Sequence, residues 1–309
     1  MSKKTISIVV PAFNESDCIE ELSDRLIDIF DNESNYIFEC ILVENGSTDN
    51  TYKKLLEARN RDHRFRVLKL SRNFRTDGGL TAGLSLISGD ACIFMAADLQ
   101  DPPEYISVFL RKWEEGFDNV YGIVTKRKGT SFIRQVNSKL FYVIASKLTN
   151  NRIPQNVSDF RLLDKKVYLA ILSMNERNRF IRGLVAWTGF KSTGIEIPRP
   201  QRFAGKSKAY TFGIIDFAFK GIFAHSYIPL RIITISGLVT SFITLLIFVA
   251  FLVRWIYFGV PFSGFGTIVT LILFAIGFLT LIIGIIAEYL GLIYEEVKQR
   301  PNFIIEKFH

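Results

Sequence analysis

The sequence predicts an α/β domain with a mostly parallel sheet, followed by two membrane-spanning helices. Over the first 120 residues, short β-branched runs alternate with stretches of helical periodicity, which is typical of repeated βαβ units. Further along the chain, two long apolar runs contain no charged residue. A hydrophobic content of 49% over 309 residues excludes an intrinsically disordered chain.

Four strands and three helices are predicted at the start of the chain. The strands are Ile6–Val10, Cys40–Val43, Val67–Leu70 and Ala91–Met95, and the helices are Ile19–Phe30, Thr51–Arg59 and Gly79–Ile87. Helical crossovers between successive strands make the strands parallel. In such a sheet, ligands bind beyond the carboxyl ends of the strands, so the residues that follow each strand are the candidates for function.

Turn-forming residues and carboxylates follow three of these strands. The segments are Val10–Ser16 (VPAFNES), Val43–Thr51 (VENGSTDNT) and Ala96–Pro103 (AADLQDPP). Each segment alone is compatible with ordinary turn and helix-cap chemistry. Their occurrence at successive strand ends favours a ligand site along one edge of the sheet.

The two uncharged runs predict transmembrane helices. They are Ile232–Val253 and Phe265–Ala287, which are 22 and 23 residues long, and each is long enough to cross about 30 Å of hydrocarbon. The connecting loop carries Arg254 as its only charge, whereas cationic residues outside the pair are Lys206, Lys208, Lys220, Arg231, Lys298 and Arg300. The positive-inside rule therefore places both termini in the cytoplasm.

The residues just before the first span are apolar with isolated charges. Within Phe212–Ser226, Asp216 and Lys220 are four residues apart, as a helical pair would be. An amphipathic core helix and a helix lying in the membrane interface both fit this pattern, and the adjacent span favours the interface. The predicted organisation is a cytoplasmic domain at 1–210, a juxtamembrane segment at 211–230, the two spans within 231–292 and a cytoplasmic tail at 293–309.

Positive charge is concentrated in one region of the chain. The formal net charge is +8, and Lys126 to Lys208 alone holds 18 Lys or Arg against four acids, an excess of +14. Such a region predicts an anionic partner, either a nucleic acid, a membrane surface or a phosphorylated molecule. The region precedes two membrane spans and has no nucleic-acid-binding motif, so a membrane and a phosphorylated ligand are favoured and no nucleic acid partner is expected.

The cysteines and the N-terminus both favour a cytoplasmic location for the first domain. Cys18, Cys40 and Cys92 are odd in number and widely spaced, which argues against a disulfide framework and for buried thiols in a reducing compartment. The opening MSKKTISIVVPAF contains too short an apolar run for a signal peptide.

Taken with LSRNF (Leu70–Phe74), SDFRLLD (Ser158–Asp164) and the two-helix tail, the three strand-end segments resemble the polyisoprenyl-phosphate glycosyltransferases of glycosyltransferase family 2. The resemblance covers nearly the whole chain. It is strongest to bacterial bactoprenol (undecaprenyl-phosphate) glucosyltransferases, which modify cell-surface glycans, and weaker to dolichol-phosphate mannose synthases. It implies a GT-A type domain and the inverting transfer of one hexose, glucose from UDP-glucose, onto undecaprenyl phosphate. The protein would then be an integral protein of the cytoplasmic membrane.

The resemblance also implies roles for individual residues. The nucleoside pocket would be lined by Pro11, Ala12, Asn14, Glu15, Glu44 and Ser47. Asp98, with Gln100 beside it, matches the position where the family holds Mg²⁺ or Mn²⁺ on the donor diphosphate, and such an ion neutralises the leaving group. Asp159 and Arg161 match the family's Asp-Phe-Arg segment, in which the Asp is the proposed base.

A lipid phosphate that approaches a diphosphate needs cations nearby, because repulsion between two unit charges at 4 Å is worth about 1 kcal/mol even in water. The segments Arg182–Phe190 and Pro198–Lys208 match the acceptor side of the family. The candidates to hold the lipid phosphate are Arg182, Arg199, Arg202, Lys206 and Lys208, with Arg202 and Lys206 favoured. A basic rim attracted to anionic lipid headgroups is the alternative explanation for about half of them.

Two positions depart from the family pattern and keep alternatives open. Ala96 stands where the family often has the first Asp of an Asp-x-Asp metal motif, and Glu44-Asn45 replaces the more usual Asp-Asp or Asp-Asn. The alternatives are a GDP-mannose-dependent polyprenyl-phosphate mannosyltransferase and a non-catalytic scaffold that binds nucleotide-sugar or lipid phosphate. The predicted partners are the donor, the lipid acceptor, the membrane and further copies of the chain in a homo-oligomer.

Overall fold

The computed structural model describes residues 3–124, 157–177, 179–198, 228–258 and 264–309. The chain divides into two compact units, of which the first comprises Met1–Phe217 with Gln299–His309 and the second comprises Ala218–Lys298. The predicted boundary at residue 210 and most of the predicted juxtamembrane segment lie outside the described residues.

The first unit is built on one sheet, which has eight strands in the described part of the chain. The strands are β1 (Lys4–Ala12), β2 (Tyr36–Glu44), β3 (Phe65–Leu70), β4 (Ala91–Phe94), β5 (Asn119–Val124), β6 (Val157–Asp164), β7 (Ser192–Ile197) and β8 (Ile305–Phe308), in the order β7-β5-β6-β4-β1-β2-β3-β8. Strands β1 to β4 pair in parallel, whereas β6 is antiparallel to both β4 and β5. The predicted mostly parallel sheet is confirmed.

Helices cover both faces of this sheet. They are α1 (Ile19–Asn32), α2 (Thr51–Arg61), α3 (Arg75–Leu84), α4 (Tyr105–Glu114), α5 (Lys165–Ser173) and α6 (Ile181–Thr188). Strand β1 shows the alternation that separates the two layers of the core, because Ile6 and Ile8 pack in one buried cluster with α1 and α2, and Val9 packs in the other with α3 and α5.

Helix α3 begins four residues earlier than the sequence pattern predicts. The pair Gly78-Gly79 lowers helix propensity and hides the first turn from a periodicity argument. The glycines in this helix serve packing, since a Cβ at Gly83 would lie 2.3 Å from Val9 Cγ1. Close contact with β1 thus explains the small residues, and it brings Asp77 into the first helical turn.

The last strand belongs to the first unit although it follows the second along the chain. Strand β8 pairs antiparallel with β3, and the Val67 and Ser71 amides donate to the carbonyls of His309 and Ile304, each at 3.0 Å. The sequence predicts a tail at 293–309, but its last residues form the edge strand of the sheet. A four-residue strand with its partner some 240 positions earlier leaves no local signal.

The second unit contains two long helices, α7 (Ile228–Phe258) and α8 (Phe265–Lys298), of 31 and 34 residues. The two predicted spans lie inside them. Within the part of the chain that the structure describes, one helical stretch, Phe278–Lys298, passes the length and composition criteria for crossing a membrane, and none of its apolar window is buried in the chain. Two transmembrane helices therefore stay a prediction.

Candidate active site

The turns that follow β1 and β2 interlock at one edge of the sheet. The Asn14 amide donates to Ser47 Oγ at 3.0 Å, and the Thr48 amide donates to Asn14 Oδ1 at 2.7 Å. The Ser47 amide in turn donates to the Glu44 carboxylate. Asn14 has a φ of 53°, a left-handed conformation that asparagine tolerates better than most residues. Three residues of the predicted nucleoside pocket thus hold one another in place.

The remaining predicted pocket residues lie in the same place. In the parallel pairing of β1 with β2, Pro11 is opposite Val43 and Ala12 is opposite Glu44. The Glu15 amide donates to Thr51 Oγ1 at 2.9 Å, which attaches the first turn to the start of α2. All six predicted residues therefore gather at the carboxyl ends of two adjacent strands.

Asn45 connects this edge to the loop after β3, a role that the sequence analysis missed. Its side chain is buried, accepts from the Phe74 amide at 2.9 Å and donates to the Arg75 carbonyl at 2.8 Å. An aspartate there would accept the first bond but could not donate the second. The asparagine at position 45 therefore suits this site, because its side-chain amide can both donate and accept the hydrogen bonds that join the two loops.

The segment after β4 contains two acids, Asp98 and Asp101, which make different contacts. Asp98 is buried to 7% exposure and accepts from the Gln100 amide at 3.2 Å, next to Leu99, whose φ of 58° makes a tight turn. Asp101 holds the segment together instead, because its two oxygens accept from the Ala96 amide and the Ser158 hydroxyl, each at 3.1 Å. Asp98 is thus the better candidate for an ion ligand.

The oxygen ligands in this segment suit a hard divalent cation that a substrate also coordinates. Among the described residues, no three His, Cys, Asp or Glu side chains are arranged as a self-sufficient metal site. Mg²⁺ and similar ions are commonly held by one or two carboxylates, with water and substrate phosphates completing the coordination. A single carboxylate on a rigid strand end fits that pattern.

Asp159 and Arg182 form a bidentate ion pair. Arg182 Nε and Nη2 donate to Asp159 Oδ1 and Oδ2 at 2.5 and 2.7 Å. The family resemblance implies separate roles for the two residues, base and phosphate ligand, but in the structure they are in direct contact. Because β6 is antiparallel to β4, with Arg161 opposite Phe94, the start of β6 lies beside the end of β4 that leads to Asp98.

Arg161 adds a buried cation beside this pair. The residue is 3% exposed, and Nη2 donates to the Ser158 carbonyl at 2.9 Å. Within the described residues, its Nε has no hydrogen-bond partner. Burial lowers the pKa of the Arg161 guanidinium to about 10, an effect that nearby Asp159 opposes and Arg182 reinforces. The group stays cationic at neutral pH.

A second acid, Asp77, lies near Asp159 and Arg182 and was not singled out from the sequence. Asp77 Oδ1 accepts from the amide of Ile181, the first residue of α6, at 3.1 Å. Burial, and then repulsion from Asp159, raises the pKa of the Asp77 carboxyl to about 6, against the opposing effects of the Ile181 bond and two arginines. An acid in a first helical turn has an ordinary explanation, which is why the sequence pattern gave no signal.

Of the five residues predicted to bind the acceptor phosphate, Arg182 lies within the described residues. The other four, Arg199, Arg202, Lys206 and Lys208, lie outside the described residues, and their roles stay predictions.

The sequence matches a known protein family and has relatives of nearly the same length. Residues 7–172 match the family model for glycosyl transferase family 2. The chain is 38% identical over 300 residues to an uncharacterized glycosyltransferase of Synechocystis sp., covering 97% of this chain and 94% of that protein. It is 34% identical over 304 residues to the SfII prophage-derived bactoprenol glucosyl transferase of Shigella flexneri, covering 98% of each.

Among solved structures, the chain resembles the crystal structure of glucosyl-3-phosphoglycerate synthase from Mycobacterium tuberculosis in complex with Mn²⁺ and UDP-glucose. The TM-score is 0.52 at 17% identity, over 71% of this chain and 77% of that one. This likeness shows the fold, which is GT-A-like as predicted. The family match and the nearly full-length relatives confirm the predicted family, so the chain belongs to glycosyl transferase family 2 and is a glycosyltransferase.

Proposed function

We propose that the protein is a membrane-anchored, inverting glycosyltransferase that moves one glucose from UDP-glucose onto undecaprenyl phosphate at the cytoplasmic face of the membrane. The observation that carries the proposal is the Asp159–Arg182 pair beside buried Arg161, at the start of the strand that adjoins the Asp98 segment. The naming of a 34% identical relative as a bactoprenol glucosyl transferase supports the choice of sugar and lipid.

On the donor side, the interlocked turns after β1 and β2 would hold the nucleoside. Asp98, with Gln100 beside it, would hold Mg²⁺ or Mn²⁺, and the solved structure of similar fold contains Mn²⁺ with UDP-glucose. When bound, the ion neutralises the diphosphate as it leaves. The bond to Ser158 makes Asp101 the residue that keeps this segment beside β6.

On the acceptor side, the lipid phosphate is already an anion near neutral pH and needs little deprotonation before it attacks. One of its oxygens would form the bond to the anomeric carbon while the bond from that carbon to the diphosphate oxygen breaks, which inverts the configuration. Arg161 and Arg182 supply two positive charges beside Asp159. Their guanidinium groups offset the repulsion between the two phosphate groups, and Asp159 takes the remaining proton of a monoanionic acceptor.

The path of the chain supports a membrane anchor with both ends on one side. Strand β8 belongs to the sheet of the first unit, and α7 and α8 precede it. A chain that leaves a domain, crosses a bilayer and returns to the same domain must cross an even number of times. Two spans, within α7 and α8, would satisfy this requirement, and the chain between them would then lie on the opposite side of the membrane.

The topology predicts opposite labelling of two introduced cysteines. Tyr257→Cys, at the exposed end of α7, is expected to react with a membrane-impermeant maleimide only in right-side-out vesicles, and Lys307→Cys, in β8, only in inside-out vesicles. Background reaction is expected to be low, since Cys18, Cys40 and Cys92 are buried and burial raises the pKa of the Cys40 and Cys92 thiols. Labelling of both positions from one side would contradict two spans.

The proposed reaction is tested with purified protein in detergent, undecaprenyl phosphate, and radiolabelled UDP- and GDP-sugars, each with Mg²⁺, Mn²⁺ or chelator. Metal-dependent movement of label from UDP-glucose into the organic phase is the expected result. Transfer from GDP-mannose instead would favour the mannosyltransferase. Nucleotide binding without transfer from any donor would favour the scaffold, with Ala96 as the first position to restore to Asp.

A further inference from the structure

Asp77 caps a helix to which it is not adjacent in sequence. The first amide groups of a helix lack partners within it and favour a nearby negative charge. In α6, the residue before the helix, Phe180, makes no side-chain capping bond. The Ile181 amide donates to Asp77 Oδ1 at 3.1 Å, across 104 positions of sequence. Asp77 thus attaches α6 to α3.

The residue next to this bond is Arg182. Its guanidinium makes the bidentate pair with Asp159, so the position of the first turn of α6 determines where that guanidinium lies. Arg179 holds the approach to the helix from the other side, because its Nη1 and Nη2 donate to the carbonyls of Met174 and Ile171 at 2.9 and 2.7 Å. The start of α6 is therefore held at two points, and Asp77 is the acidic one, close enough to Asp159 for the two carboxylates to repel each other.

Charged groups on three segments act on Asp77. Asp159 and Arg161 belong to β6, Arg179 precedes α6, and Arg182 lies within α6. The burial of Asp77 and the charge of Asp159 together raise the pKa of the Asp77 carboxyl to about 6, so the group is protonated below that pH and ionised above it. Its ionised form makes the stronger bond to the Ile181 amide.

We propose that Asp77 is a positioning residue of the acceptor-phosphate site, whose carboxylate fixes the start of α6 and thereby holds Arg182 where it meets Asp159 and the lipid phosphate. The inference rests on the proposed function, which gives Arg182 its acceptor. It adds a residue that touches neither substrate and acts through the helix.

The test compares full-length Asp77→Asn with the matched control Asp90→Asn. Asp90 Oδ2 accepts from the Thr5 amide at 2.9 Å, a bond of the same kind near the amino ends of β1 and β4, at the opposite edge of the sheet. In both variants the amide oxygen still accepts, and the charge is lost. We expect Asp77→Asn to raise the KM for undecaprenyl phosphate by about tenfold near pH 7.5, the loss associated with a charge-assisted bond, while the KM for UDP-glucose stays unchanged. Asp90→Asn is expected to change neither constant.

The pH dependence separates positioning from a merely structural role. The lipid phosphate itself titrates near pH 6, but its titration cancels in the ratio of wild-type to Asp77→Asn values of kcat/KM for the acceptor. This ratio is expected to be about 2 at pH 5 and to rise to about 10 above about pH 7, with its midpoint near pH 6.

A ratio that does not change with pH, or an equal rise of both KM values, would overturn the role of Asp77. An absence of transfer by the wild-type protein with any donor would overturn the proposed function itself, and the role of Asp77 with it. The two failures are therefore distinguishable from one set of measurements.

Discussion

Asp98→Asn is expected to lower the rate of transfer by at least about 100-fold while the fold and nucleoside binding persist. Asp98 is the proposed carboxylate ligand of the divalent ion. An amide is a much weaker ligand for Mg²⁺ or Mn²⁺. The nucleoside contacts proposed for the turns after β1 and β2 do not involve this residue. Initial rates as a function of Mn²⁺ concentration, with the melting temperature as a check on folding, measure the effect. Full activity of the variant in excess chelator would disprove the metal assignment.

Asp101→Asn is the matched control, since the same substitution three residues away is expected to affect stability instead. Both Asp101 oxygens accept hydrogen bonds, from the Ala96 amide and the Ser158 hydroxyl. An asparagine has one oxygen instead of two to accept these bonds and carries no charge, at a position that is only 4% exposed. The expected cost is about 1–3 kcal/mol of unfolding free energy. If Asp101→Asn lost activity as completely as Asp98→Asn without loss of stability, the two acids would share the ion.

Asp159→Asn is expected to reduce kcat by about 100-fold and to leave the affinity for UDP-glucose nearly unchanged. The substitution removes the charge that orients the Arg182 guanidinium and the carboxylate that accepts the acceptor's remaining proton. Isothermal calorimetry with the nucleotide and steady-state kinetics with the lipid separate the two quantities. Lost donor affinity with normal turnover would show that Asp159 belongs to the donor site.

Arg182→Lys supplies the companion measurement. Lysine keeps the positive charge but lacks the forked N–H groups that engage both Asp159 oxygens. Because the two residues act as one unit, the kcat of the double variant Asp159→Asn/Arg182→Lys is expected to be only slightly lower than that of the less active single variant. Additive losses would mean that the two side chains act independently.

The central sheet was predictable because its signals are local. Strands β1 to β4 are short apolar runs that alternate with helices, and the turn-forming residues mark their carboxyl ends. Strand β8 and the start of α3 were not, since the first depends on a partner far away in sequence and the second on glycines that disfavour a helix until β1 packs against them.

The sequence supplied single candidate residues for the site but not the contacts between them. The family resemblance supplied Asp98, Asp159 and Arg182 as candidates, but the ion pair between the last two forms because α6 and β6 fold together, which no spacing of 23 residues reveals. Asp77 needed the structure for the same reason, because its partner is a backbone amide 104 positions away.

The stoichiometry of a single reaction tests whether the protein transfers glucose from UDP-glucose to the lipid phosphate. Purified protein, undecaprenyl phosphate, UDP-glucose labelled in the sugar and Mn²⁺ are incubated together, and released UDP and labelled glycolipid are both counted. We expect one inverted glycolipid for every UDP released, and neither product in the presence of chelator. UDP release accompanied by free glucose instead of glycolipid, or no release from protein that binds the nucleotide, would contradict it.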